Sequence, residues 1–149
     1  MARVVVQTTI DAPPDRVWAA VRDVRTHVAW MADAEAITLT SPQSEGVGTT
    51  FDCATKIGPV RLTDRMAITE WVEGSVMGVR HVGLVTGTGR FTVAPAPGGR
   101  STFAWEEELA FPWWLGGRVG EAVGGPLVLR RLWQGNLARL KALVETEAG

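Results

Sequence analysis

Six strand-like stretches follow one another at 36–40, 49–57, 60–71, 75–83, 86–94 and 101–111, separated by short connections and followed by one long helical pattern. The connections EGVG, IGP, VEG and PAPGG carry the glycine and proline chemistry of turns. Strands joined so tightly pair as antiparallel hairpins, because a parallel pair needs a long crossover. Such a sheet has one apolar face to cover. The helical pattern, with Leu129, Leu132, Trp133, Leu137, Leu140 and Val144 at helical spacing, supplies the cover.

Ahead of the meander, residues 3–10 alternate and are β-branched, which predicts a first strand. DAPPDRVWAAVRDV then predicts a short helix, capped by Asp11 or a neighbour. Pro13 and Pro14 suit its first turn, and Val17, Trp18 and Val21 form its apolar stripe. RTHVAWM predicts a second short helix. No repeat or linker interrupts the order, so residues 1–149 read as one domain of α+β class. The reading is a curved antiparallel sheet of about seven strands wrapped on a long C-terminal helix.

A net charge of −1, with both signs scattered, gives no electrostatic footprint for nucleic acid. No run of about 18 apolar residues predicts a membrane span, and the N-terminus lacks a signal-peptide pattern; a cytoplasmic location is the expectation. Cys53 is the single cysteine and there are two histidines, so neither a disulfide nor a zinc site is expected, and no cofactor is predicted. Tyrosine is absent. Whatever chemistry the chain carries uses no phenol.

The segment VMGVRHVGLVTGTGRF (76–91) breaks a hairpin with Gly78, Gly83, Gly87 and Gly89, and puts His81 in its middle. Glycine weakens a strand, so the cluster needs a reason. Residues two apart share a face. That alternation places Val60, Leu62, Asp64, Met66 and Ile68 inward on one strand, and Met77, Val79, His81 and Gly83 on the next. The rival phase, Val76 and Val82 with Arg80, is nearly as apolar. Gly87, Gly89, Phe91 and Val93 then face inward, followed by Phe103, Trp105, Glu107, Leu109 and Phe111. Pairing the hairpins gives one row of Asp64, Gly83, Gly87 and Glu107, and a second of Met66, His81, Gly89 and Trp105. In this register the glycines are bare floor beneath a cavity. Asp64 and Glu107 stand about 14 Å apart at ~4.8 Å per strand, while Asp64 and His81 are diagonal neighbours within reach.

Several stretches carry a resemblance: TIDAPPDRVWAAVRDV, EGVGTTF, MAITEWVEG, GTGRFTVAPAPGGRSTFAWEEEL and NLARLKALVE. Together they resemble, over nearly the whole chain, the START/Bet v 1-like (SRPBCC) superfamily in its polyketide cyclase/dehydrase-like branch. The resemblance implies a helix-grip fold around an apolar cavity, in a superfamily whose members bind or transform many ligands. Candidate walls are then Phe51, Cys53, Met66, Ile68, Val79, Phe91, Phe103 and Trp105 of the sheet. Gly83, Gly87 and Gly89 form the floor, with Leu129 and Trp133 from the helix.

Two readings compete at each polar position. His81 is an acid/base assisted by Asp64 or Glu107, or a satisfied structural histidine. Asp64 also suits a solvated strand start, and Glu107 belongs to the run Glu106–Glu108. Cys53 reads as a small apolar residue, and His27, beside Trp30, as structural. FPWWLGGRVGEAVGGPLV is too glycine-rich for one straight helix; it reads as a gate at the cavity mouth, a packing joint, or a partner patch on Trp113 and Trp114. The expected function is non-covalent binding of an apolar small molecule of lipid, polyketide or polycyclic type. The alternative is an aromatase/cyclase or dehydratase on a polyketide-like substrate, and the third reading a regulatory or interaction module. A homodimer stays open.

Overall fold

A computed structural model describes residues 2–110 and 126–148. Phe111, Trp113, Trp114 and the rest of the glycine-rich segment ahead of Pro126, read above as a gate, a joint or a partner patch, lie outside the described residues. The chain runs through β1 (Ala2–Ile10), α1 (Pro14–Val21), a 3-10 helix (Val24–Ala29) and β2 (Ala34–Leu39). It continues through β3 (Thr50–Ile57), β4 (Val60–Val72), β5 (Val76–Val82), β6 (Thr86–Ala96), β7 (Arg100–Ala110) and α2 (Pro126–Ala148). Seven strands form one sheet in the order β1-β7-β6-β5-β4-β3-β2, each pair antiparallel. From β2 onward neighbours in sequence are neighbours in the sheet, as their short connections demand. β1 joins the far edge beside β7.

Two irregularities interrupt the ladders, between Ala34 and Ala36 on β2 and between Ile68 and Glu70 on β4. Each inserts a residue that bends the strand, which helps the sheet curve. α1 starts without the side-chain cap expected from Asp11. Pro13 sits at the N-cap with no side-chain hydrogen bond, and Pro14 opens the helix. Asp11 instead gives its backbone N–H to Glu145 Oε2 of α2 at 2.9 Å.

α2 turns Leu129, Trp133, Leu137, Leu140 and Val144 into the core. Each buried side chain of this kind contributes about 1.5–3 kcal/mol, so the stripe, more than helix propensity, holds the helix in place. One buried polar residue interrupts the stripe. Asn136 Nδ2 donates to Asp33 Oδ1 at 2.8 Å, and its Oδ1 accepts the Ala32 N–H at 3.0 Å and an N–H of Arg139 at 2.5 Å. This clasp fixes the rotation of α2 against the turn that follows the 3-10 helix. Lys141, bonded to the Thr9 carbonyl at 2.9 Å, ties the helix to β1.

The inward faces are those the alternation predicts, but the predicted rows are not. Met66 does pair with His81. His81 then pairs with Gly87 rather than Gly89, and Gly89 with Glu107 rather than Trp105. The observed rows are therefore Met66–His81–Gly87–Leu109 and Ile68–Val79–Gly89–Glu107. Both hairpins are displaced by two residues. At β5–β6 the loop is 83–85, with Val85 drawn into the core. At β6–β7 the loop centres on Gly98, because Gly98 and Gly99 take left-handed conformations (φ +79° and +74°) that only glycine adopts freely. A slip of two preserves which face each side chain occupies. The faces survive, and the neighbours change.

Candidate functional site

A cavity of about 110 Å³ lies between the sheet and α2, its lining mostly apolar. Phe51, Cys53, Met66, Val79, Phe91 and Trp105 line it from the sheet, and Leu129 and Trp133 from α2. Trp105 and Trp133 stack across the sheet–helix boundary at 4.6 Å between ring centroids. Two expected wall residues are elsewhere: Ile68 and Phe103 are buried in the core and do not line the cavity.

Of the three expected floor glycines, only Gly89 reaches the cavity. Gly83 sits in the β5–β6 loop, where a Cβ would meet Arg65 at 3.4 Å. Gly87 has φ +132°, and a Cβ there would lie 1.8 Å from the Glu108 carbonyl oxygen. It serves the close approach of two backbones, not an open floor. At Gly89 a Cβ would lie 2.4 Å from Glu107 Oε1. The bare position is occupied by a neighbour's carboxylate.

That carboxylate completes a buried network. From β7, Glu107 lies across Gly89 of β6 and accepts a hydrogen bond from His81 Nε2 of β5 at 2.7 Å. On its other edge, His81 Nδ1 donates to both oxygens of Asp64 on β4, at 2.9 and 3.0 Å. Trp105 Nε1 donates to the second oxygen of Glu107 at 3.0 Å. The side chains of His81, Glu107 and Asp64 are only 5%, 8% and 14% exposed. The two carboxylates expected about 14 Å apart thus share one imidazole between them.

Burial disfavours a charged imidazole and is the largest single influence on His81. The hydrogen bonds to Asp64 and Glu107 and the charges of both outweigh it together, raising the ring to about 10. At neutral pH His81 is an imidazolium donating from both nitrogens, and the cluster carries one net negative charge. Both protons are already engaged. His27 goes the opposite way: burial, opposed by its hydrogen bond to Val21, lowers it to about 4. It is neutral, and Nε2 donates to the Val21 carbonyl at 2.8 Å. Cys53 is pushed up to about 11, chiefly by burial, and is no nucleophile at neutral pH.

Glycine at position 89 is the sequence requirement for this arrangement. Gly89→Ala should displace Glu107 from His81 and cost about 1.5–3 kcal/mol, the usual worth of a hydrogen bond to a charged group. Urea unfolding checks it; a cost under about 0.5 kcal/mol would mean that Glu107 does not need the vacant position.

Sequence alternation did not single out Met31, Asp33, Val85 and His27, all of which line the cavity. Met31, Asp33 and Val85 lie in turns, where no period marks a face. His27 lies on the 3-10 helix, too short to show a periodic stripe. Leu62 and Leu109 were legible, since both lie on inward phases. Among the described residues no cluster of three histidine, cysteine or carboxylate side chains has the geometry to hold a metal ion. No helix among them is long and apolar enough to cross a membrane.

A curved antiparallel sheet gripping a C-terminal helix around an apolar cavity defines the helix-grip class. Within it, the chain belongs to the family described as polyketide cyclase / dehydrase and lipid transport, which matches residues 1–145. It is similar in structure to the protein TTHA0849 from Thermus thermophilus, at 17% identity and a TM-score of 0.78, over 99% of each chain. It is also similar to the Zhui aromatase/cyclase from Streptomyces sp. R1128, at 15% identity and a TM-score of 0.75, over 99% of this chain and 95% of that one. The KanY protein is similar at 21% identity and a TM-score of 0.75, over 97% of each. At these identities the likeness is one of fold. No curated protein matches the chain.

Proposed function

We propose that the protein binds a small apolar molecule non-covalently in the cavity between the sheet and α2. The observation that carries this reading is the cavity itself: walls drawn from six strands and α2, mostly apolar, enclosing about 110 Å³. Such sites hold ligands by burial and orient them with a few polar groups. The state of His81 supports binding over acid–base work. An imidazolium with both protons held by carboxylates has no lone pair for a general base, and as an acid it must break a charge-assisted bond to give one up.

A cyclase or dehydratase is the second reading, and one observation favours it: an ionised histidine–carboxylate network stands in the wall of the cavity. There His81 would donate towards a developing enolate oxygen while Asp64 or Glu107 takes up the proton. His81→Gln separates the two readings. For an enzyme, turnover should fall by about 100-fold or more; for a binder, affinity should change modestly.

The binding reading is tested by native mass spectrometry of gently purified protein for a co-purifying molecule, and by titrating toluene against the fluorescence of Trp105 and Trp133. Val79→Phe puts a ring into the cavity and should weaken toluene at least tenfold without lowering the unfolding midpoint. Undiminished toluene binding by that variant would place the site elsewhere.

A further inference from the structure

The polar atoms of the cavity wall are not a balanced set. Both N–H groups of His81 go to Asp64 and Glu107, that of Trp105 to Glu107, and that of Trp133 to Asp33 at 3.4 Å. The Thr55 hydroxyl donates to the Cys53 carbonyl at 3.3 Å, and the Arg90 guanidinium to Glu70 at 2.9 Å. Apart from Arg90, whose half-exposed guanidinium lies with Glu70 on the outer face of the sheet, every N–H and hydroxyl donor on a lining side chain is therefore committed within the protein. Trp30, whose Nε1 has no partner among the described residues, does not line the cavity.

Acceptors remain. His27 lines the cavity with 4% of its surface exposed. Its Nε2 must carry the proton, because it meets the Val21 carbonyl oxygen, an acceptor only. Its Nδ1 then holds a lone pair, with no hydrogen-bond partner among the described residues. Among the described residues Trp30 Nε1 alone is a fully buried side-chain polar atom without a partner, so Nδ1 is open to a water-sized probe, and a ligand's donor can take it in place of water. The Asp64–His81–Glu107 cluster adds a net negative charge to the same cavity, and Asp33 a further carboxylate.

Resting on the binding reading above, we propose that the cavity selects a single-ring apolar molecule bearing a neutral hydroxyl, which donates to Nδ1 of His27, and rejects carboxylates. One ring is the upper limit of size: the cavity's 110 Å³ is less than the roughly 150 Å³ of an apolar cavity that accommodates benzene, so its walls must yield a little to admit a ring. A carboxylate would need donors that the wall no longer has, and would meet the negative charge of the cluster. Hydroxyl selection here comes from proton inventory rather than shape.

Three single-ring probes test it at pH 7: toluene, p-cresol and 4-methylbenzoate, with p-cymene as the uncharged control for the size of the carboxylate, titrated against tryptophan fluorescence with ligand-observed NMR as a second readout. p-Cresol should bind at least tenfold tighter than toluene, and 4-methylbenzoate at least tenfold more weakly than p-cresol. In His27→Phe the p-cresol advantage should collapse to the toluene level while toluene binding persists. If toluene binds but p-cresol gains nothing, or 4-methylbenzoate equals p-cresol, the hydroxyl selection is wrong and the binding site stands. If none of the three binds, the binding reading falls and this one with it. Should His27→Phe not fold, the three-probe comparison on the unaltered protein decides alone.

Discussion

Replacing His81 by leucine should lower the unfolding free energy by about 3–5 kcal/mol, the cost of stranding buried charges by removing one partner. His81 holds Asp64 on one edge and Glu107 on the other, in a wall where the side chains are 5% to 14% exposed. Leucine leaves two carboxylates facing each other with, among the described residues, only the Trp105 N–H still donating to Glu107. Adding Asp64→Asn and Glu107→Gln to the leucine variant should recover much of the loss, because the uncompensated charge is then gone. Urea unfolding of the single and triple variants is the measurement. A single-variant cost below about 1 kcal/mol would show that water reaches the cluster. A triple variant as unstable as the single would show that shape, not charge, is what His81 supplies.

The second large effect is on pH dependence, since the two histidines are shifted in opposite directions. His81 titrates near 10 in the folded protein and about 6.5 unfolded, so between those values the folded state holds the extra proton. Its stabilisation is complete below about pH 6.5 and lost as pH rises through 10, at up to about 1.4 kcal/mol per pH unit. His27 titrates near 4 when folded, so the unfolded state holds the extra proton below about 6.5. Its contribution is present above that value and lost as pH falls through 4. The unfolding free energy should therefore peak near pH 6.5 and decline on both sides. His81→Leu should flatten the alkaline limb alone, and His27→Gln the limb between about pH 6.5 and 4.5. A curve still rising between pH 7 and 9 would contradict the ionised cluster.

The fold was legible because its signals are local and repeated. Alternation marked every strand to within two residues at either end, and the spacing of Leu129, Trp133, Leu137, Leu140 and Val144 marked the helix that covers them. The facing of Asp64, His81 and Glu107 into one cavity followed from the same alternation. Their contacts were harder to see. Whether Glu107 meets His81 depends on how many residues each hairpin loop contains, set by the inward turn of Val85 and by the left-handed Gly98 and Gly99. Side-chain period carries no such information, and a two-residue displacement leaves it unchanged. Gly89 shows the limit best. Its sequence setting suggests space for a ligand, and the structure fills that space with Glu107.

The cluster that Gly89 admits also bears on how such a cavity changes over generations. Met66, Val79 and Leu129 meet the interior with apolar surface, so each can be exchanged for another apolar residue without orphaning a proton. His81 cannot be exchanged before its partners, because its loss strands two carboxylates, whereas loss of either carboxylate leaves an imidazolium–carboxylate pair; Gly89 must stay small for as long as Glu107 crosses it. Ligand preference is thus free to drift through the apolar walls, while the polar positions can change only in a fixed order, the carboxylates before His81 and Glu107 before Gly89.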